Sequence, residues 1–171
     1  MRRFVLTTLS AALVLGPAGL ATAQASAATR STKAVTVNWP VVKQGATGNR
    51  VRTIQYLLNQ RGIRVAVDGS FGKSTTSAVK TFQKAQRLVV DGHVGPSTWQ
   101  KLVVELRKGS RGDAVRGLQS QLRNQYGYKS VTVDGTFGAT TEKAVKDFQA
   151  KRKLKADGIV GLGTWKALEA G

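Results

Sequence analysis

The sequence has no cysteine, one histidine, one methionine and three prolines in 171 residues. Without cysteine no disulfide can form, so the fold must hold by packing alone. Thiolate nucleophiles and cysteine zinc sites are excluded with it. A lone histidine, His93, rules out a multi-histidine metal site within one chain. Acid is also scarce: nine Asp and Glu stand against 27 Lys and Arg, a net charge of +18. That excess points to anionic partners, whether nucleic acid, an acidic membrane surface or an anionic polymer, and does not choose among them. The basic residues are dispersed, with no dense run and no basic arm. Hydrophobic residues make up 41% of the chain, enough for a packed core. The length allows one or two small domains and excludes a large multidomain enzyme.

There is one long apolar run. Arg2 and Arg3 precede a mostly apolar stretch from Phe4 to Ala21, broken by Gly16, Pro17 and Gly19. Ala21-Thr22-Ala23 and Ala25-Ser26-Ala27 both fit the small-residue cleavage rule. The pattern predicts a signal peptide over 1–27, cut after Ala23, Ala25 or Ala27, in preference to a membrane anchor. The expected product lies outside the cytoplasm, with no membrane attachment after cleavage.

The rest of the chain is one unit written twice. Gly45, Gly48, Val51, Gln55 and Leu58 recur 64 residues later as Gly109, Gly112, Val115, Gln119 and Leu122. The second copy then gains two residues near Tyr126 and Tyr128. From there the offset is 66: Asp68-Gly69, Phe71-Gly72 and Thr75 match Asp134-Gly135, Phe137-Gly138 and Thr141. Phe82-Gln83, Asp91-Gly92 and Thr98-Trp99 match Phe148-Gln149, Asp157-Gly158 and Thr164-Trp165. The expected division is a strap or linker over 28–42, a first domain over 43–106 and a second over 107–171. Residues 103–108 read as a short, stiff spacer.

Each copy reads as three short helices. Val51, Ile54 and Leu58 share one face of the first, as do Val115, Leu118 and Leu122 in the second copy. Gly62 and Gly127 suit a C-terminal stop. Val65-Ala66-Val67 and Val131-Thr132-Val133 alternate but are too short to read as strands. Asp-Gly pairs turn the chain before the second and third helices, and Gly95-Pro96 suits a helix start.

The pattern D-G-x-F-G-x-x-T-x-x-A-V-x-x-F-Q, then L-x-x-D-G-x-V-G-x-x-T-W-x-x-L, stands at 68–102 and again at 134–168. It closely resembles the three-helix peptidoglycan-binding domain family of bacterial cell-wall proteins. The resemblance implies an all-α fold of two tandem three-helix bundles that bind wall glycan or stem peptide without cleaving it. It implies no cofactor. Anionic wall polymers and a wall hydrolase are further expected partners, and nucleic acid is not one. The competing readings are a small peptidoglycan hydrolase or its accessory subunit, and a wall-docked protein-interaction module.

The candidate residues follow from the repeat. Asp68 with Asp91, and Asp134 with Asp157, have the look of paired glycosidase carboxylates, but each precedes a turn glycine, and the turn-making role is the simpler one. No catalytic residue and no metal ligand is assigned. His93 has Ile159 as its counterpart, so a catalytic base there would be absent from half the protein. Trp99 and Trp165 are expected in the core. Gln55, Gln83, Gln119 and Gln149 are repeated amides at the edge of apolar faces, which either satisfy buried backbone or face a ligand. With Arg87, His93, Tyr126, Tyr128 and Arg152 they form the candidate ligand-binding set.

Overall fold

The computed structural model describes residues 38–171. The expected signal peptide and most of the strap over 28–42 lie outside the described residues. The elements are α1 (Asn49–Gln60), α2 (Lys73–Ala85), α3 (Pro96–Leu102), α4 (Asp113–Ser120), a π-helical turn (Gln121–Gln125), α5 (Ala139–Lys151) and α6 (Leu162–Glu169). The fold is all-α, three helices to a copy. The short alternating segments at 65–67 and 131–133 form no strand; isolated antiparallel bridges, Thr47 with Ser70 and Arg111 with Thr136, tie each copy's lead-in to its first Asp-Gly turn.

The apolar spacing builds the core directly. Val51, Ile54 and Leu58 of α1 are buried with Val79 and Phe82 of α2 and with Trp99 and Leu102 of α3. Val115, Leu118, Leu122, Val145, Phe148, Trp165 and Leu168 do the same in the second copy. Each tryptophan also has a fixed polar end, as a buried indole N–H requires. Trp99 Nε1 donates to the Pro40 carbonyl at 2.9 Å, and Trp165 Nε1 to the Val104 carbonyl at 2.7 Å. Trp39 stacks on Trp99, with ring centroids 5.4 Å apart and planes 14° from parallel.

Those contacts correct the expected boundaries. Val104 stands in the second copy where Pro40 stands in the first. Val42 bridges to Val94, and Leu106 bridges to Val160 in the same way. Val103 is held by the first copy, through the Trp99 carbonyl and Arg61, while residues 104–106 are bonded to the second and are no free spacer. The latter are the second copy's strap, bonded across its α6 start as residues 39–42 are across α3. Val103 and Val104 replace the Trp39-Pro40 pair, which hid the match.

The two extra residues of the second copy are also located. In the first, α1 ends in a Schellman arrangement: the Gly62 N–H reaches the Asn59 carbonyl and the Ile63 N–H reaches the Leu58 carbonyl, with Gly62 at φ +79°. In the second, one residue is absorbed by the π-helical turn, so the Tyr128 N–H reaches back to the Leu122 carbonyl. The other sits in the turn closed by the Val131 N–H on the Tyr128 carbonyl. Beyond it both copies run in register.

The copies are joined along α1 and α4, within one unit of the chain. Gly117 of α4 lies against α1, where an added Cβ would come 3.3 Å from Tyr56 Cβ and 3.7 Å from Thr53 Cα. Ser120 Oγ donates to Asn49 Oδ1 at 2.6 Å, and Asn49 Nδ2 donates to Gln121 Oε1 at 2.7 Å. Gln121 Nε2 continues the chain to Glu169 Oε1 at 2.8 Å. Arg50 donates to the carbonyls of Glu169 and Gly171, at 2.5 and 2.9 Å. The first helix of copy one thus holds the last helix of copy two.

Candidate functional site

Four copies of one polar cluster shape the surface. In the first, Gln55 Nε2 lies 2.7 Å from Asp68 Oδ1, 3.1 Å from the Ser70 carbonyl and 3.2 Å from Thr75 Oγ1. Its Oε1 accepts the Gly69 N–H at 2.9 Å, and Asp68 Oδ1 accepts the Ser70 N–H at 2.8 Å. Gln83 holds Asp91, Gly92, His93 and Thr98 in the same way. Gln119 holds Asp134, Gly135, Thr136 and Thr141. Gln149 holds Asp157, Gly158, Ile159 and Thr164. The glycine in each has φ between +77° and +80°, a region that disfavours side chains.

This geometry gives each of the four amides a turn to hold. All four glutamines are buried and their hydrogen-bonding capacity is used by the turn. They carry turn backbone, and Gln83 and Gln149 also line the two grooves. The aspartates are turn-makers too. Each carboxyl is held below its ordinary range, first by the N–H two residues on and further by the glutamine. A glycosidase general acid needs the opposite shift.

The second cluster of each copy floors a groove. In copy one, a cavity of about 480 Å³ lies between the end of α2 and the start of α3, bordered by Arg87, Val89, His93 and Pro96 above Gln83 and Thr98. In copy two the matching hollow, about 240 Å³, lies between α5 and α6, with Lys155, Ile159 and Gly161 above Gln149 and Thr164. Val89 on the copy-one rim is 80% exposed; next to lining residues in sequence, Val90 is 47% exposed and Leu162, which replaces Pro96, 55%. A third cavity of about 460 Å³ adjoins the copy-two groove, sharing Leu154 and Gly163 with it.

Arg87 and His93 therefore lie at one groove. The other basic candidate, Arg152, borders the third cavity, and the repeat places Lys153 opposite Arg87. Arg87 and Lys153 are the two non-glycine residues with positive φ among the described residues, at +55° and +57°. Each follows its helix at the position where glycine is usual. Arg152 corresponds to Gln86, and its guanidinium lies 5.2 Å from the Tyr126 ring centroid and 5.5 Å from that of Phe148. The two tyrosines are half-buried and make contacts within the protein. Tyr126 packs edge-on to Phe148, centroids 4.8 Å apart, and its hydroxyl donates to the Leu168 carbonyl at 2.7 Å. Tyr128 donates to Asp147 Oδ2 at 2.7 Å under the Lys151 ammonium. Burial raises both phenol pKa values.

Trp99 and Trp165 are fully buried, so neither offers a stacking face. Lys153, Leu154, Lys166 and Ala167 were missed as cavity residues. The repeat carried a signal for the first of them, since a basic residue replaces glycine after the second helix of both copies. Among the described residues no group of three or more His, Asp or Glu is placed to hold a metal ion.

A family profile described as "Putative peptidoglycan binding domain" matches residues 47–102 and 111–168. The N-acetylmuramoyl-L-alanine amidase CwlL of Bacillus licheniformis is 32% identical over 72% of this chain and 44% of its own length. The amidase CwlM of Mycobacterium tuberculosis is 36% identical over 57% of this chain and 27% of its own. The chain spans less than half the length of either relative. A solved peptidoglycan-binding protein from Clostridioides difficile is 43% identical over 37% of this chain and 40% of its own, at a TM-score of 0.36. With both copies matched over their three helices, the chain belongs to the peptidoglycan-binding domain family.

Proposed function

We propose that this protein is exported and holds peptidoglycan in the paired α2–α3 and α5–α6 grooves without cleaving it. The observation that carries this reading is the recurrence of the groove. In both copies a buried Gln–Asp–Thr cluster fixes the floor, while basic and apolar side chains stand on the rim. Apolar rim groups suit the C–H faces of sugars and the alanine methyls of stem peptides. The surplus positive charge raises the encounter rate with wall carboxylates and polymer phosphates. The carboxylates of both grooves are committed to turns as ionised acceptors, which supports binding over hydrolysis.

The test is sedimentation of pure protein with insoluble wall sacculi, followed by assay of the supernatant. Co-sedimentation with no release of reducing sugar, soluble muropeptide or new amino groups is the expected outcome. Sustained release by the pure protein overturns the non-catalytic part. The names of the longer relatives favour a second reading, in which the same two copies deliver a wall hydrolase to its substrate. A hydrolase that gains activity on sacculi, and not on soluble fragments, when this protein is added would support it.

A further inference from the structure

The cavity beside the copy-two groove differs from its surroundings in charge and lining. Arg152, Lys153 and Lys166 border it, and Leu154, Gly163, Ala167 and Ala170 form its apolar wall. None of these three cations belongs to an ion pair among the described residues, although Lys108, Arg116, Lys146, Lys151 and Lys155 of the same copy each find a carboxylate. The site is also specific to this copy. Gln86, Gln100 and Val104 replace Arg152, Lys166 and Ala170 in copy one, and Lys101 takes the place of the small Ala167.

Arg152 is held in place. Its guanidinium packs beside Tyr126 and Phe148, and the Tyr126 hydroxyl is anchored on the Leu168 and Ala167 carbonyls of α6. Tyr126 ends the π-helical turn that carries one of the two extra residues. The insertion thus supplies the platform on which one cation of the cavity rests.

We propose that this cavity is a subsite for the free α-carboxylate of a short peptide whose last residues have small apolar side chains. The carboxylate meets the three cations, and the methyl groups lie on the Leu154–Ala167–Ala170 wall. A volume of about 460 Å³ suits a fragment of about two residues. The apolar wall argues against a bare phosphate, which would gain nothing from it. The subsite rests on the wall-binding reading, and adjoins the α5–α6 groove through Leu154 and Gly163.

The test is titration of the full chain with N-acetyl-D-alanyl-D-alanine, its C-terminal amide, and inorganic phosphate. Binding is followed by NMR at the Ala167 and Ala170 methyl groups, with sacculus sedimentation in parallel. The free acid should shift both methyls and bind about tenfold or more tightly than the amide, as loss of a charge-assisted hydrogen bond implies. Phosphate should not displace it at equal concentration. Lys166→Gln should weaken the acid about tenfold and leave the amide unchanged. Lys153→Gly is the second variant: glycine suits the positive φ, so the fold is not at risk, and acid binding should again fall. Equal binding of acid and amide, equal competition by phosphate, or methyls unmoved at millimolar acid would overturn the subsite. If the protein still sediments with sacculi in that case, the wall-binding reading stands without it. If it does not sediment, both fall.

Discussion

Arg50 Nε and Glu169 Oε2 face each other at 3.5 Å across the seam between the two copies, and neither atom has another hydrogen-bond partner. Glu169 is wholly buried, and burial pushes its pKa from 4.5 up to about 8, against the opposing pull of Gln121 and Arg50. Between those values the folded protein keeps a proton that the unfolded chain has released. Stability from this site is therefore full below about pH 4.5 and is lost as pH rises through about 8. Urea midpoints should fall between about pH 5 and about pH 9. Glu169→Gln, which keeps the shape of the protonated acid, should fold and flatten that slope. An unchanged slope in the variant would place the titration elsewhere.

The turn aspartates have the opposite sign. Their folded pKa values are lowered. Their contribution is present above the usual carboxylate range and fades as pH falls through the lowered values. With Glu169 this gives a stability maximum on the mildly acidic side of neutrality, which a series of melts across pH would locate.

Truncating a buried glutamine should be more damaging than its polar character suggests. Gln83→Ala leaves the Gly92 N–H and the His93 carbonyl without the amide that pairs them. A buried unsatisfied group costs about 1–3 kcal/mol. Wall binding at copy one should fall with the turn that floors its groove. A variant with unchanged melting and lost binding would make Gln83 a ligand contact.

Much of the fold was legible because the repeat is its own control. The periodic apolar positions, the Asp-Gly turns and the buried tryptophans occupy matched slots, and these set three helices per copy and the residues each gives to one shared core. The glutamines were legible as repeated and undecided in role, since a sequence shows an amide but not its partners. The strap at 104–106 was hidden because valines replace Trp39 and Pro40 while the backbone bonds that define it carry no sequence mark. The seam was hidden for another reason. Asn49, Thr53, Tyr56, Ser120 and Glu169 are polar types that periodicity assigns to solvent. The one visible clue was Gly117, a glycine inside a helix, which often marks close approach of another backbone.

Gly117 supplies the test of the seam. A larger side chain there must enter α1 at Tyr56 and Thr53. Gly117→Leu should destabilise the protein by about 1–3 kcal/mol through overpacking, despite the better helix propensity of leucine. If the copies capture one polymer together, the variant should also lose wall affinity beyond its stability loss, because a fixed spacing between sites governs avidity. Unchanged melting would show that the α1–α4 contact opens readily in solution.

The last prediction concerns Arg61 and Tyr126, which occupy the same place in the two copies. Arg61 donates to the carbonyls of Lys101, Leu102 and Val103 at 2.7, 3.1 and 2.9 Å. Tyr126 reaches the carbonyls of Ala167 and Leu168, the counterparts of Lys101 and Leu102. Two unlike side chains therefore do one job, tying the end of the first helical segment to the exposed carbonyls that close the third helix. Tyr126→Phe removes the hydroxyl and keeps the ring under Arg152. It should cost about 0.5–1.5 kcal/mol, the usual net worth of one hydrogen bond, and leave sacculus binding intact. Arg61→Ala should cost more, since one charged group serves three acceptors and no neighbour replaces it. Both are measured by denaturant melts alongside sedimentation. A Tyr126→Phe protein of unaltered stability that no longer sediments would make the hydroxyl a wall contact and place the second-copy tyrosine on the binding surface.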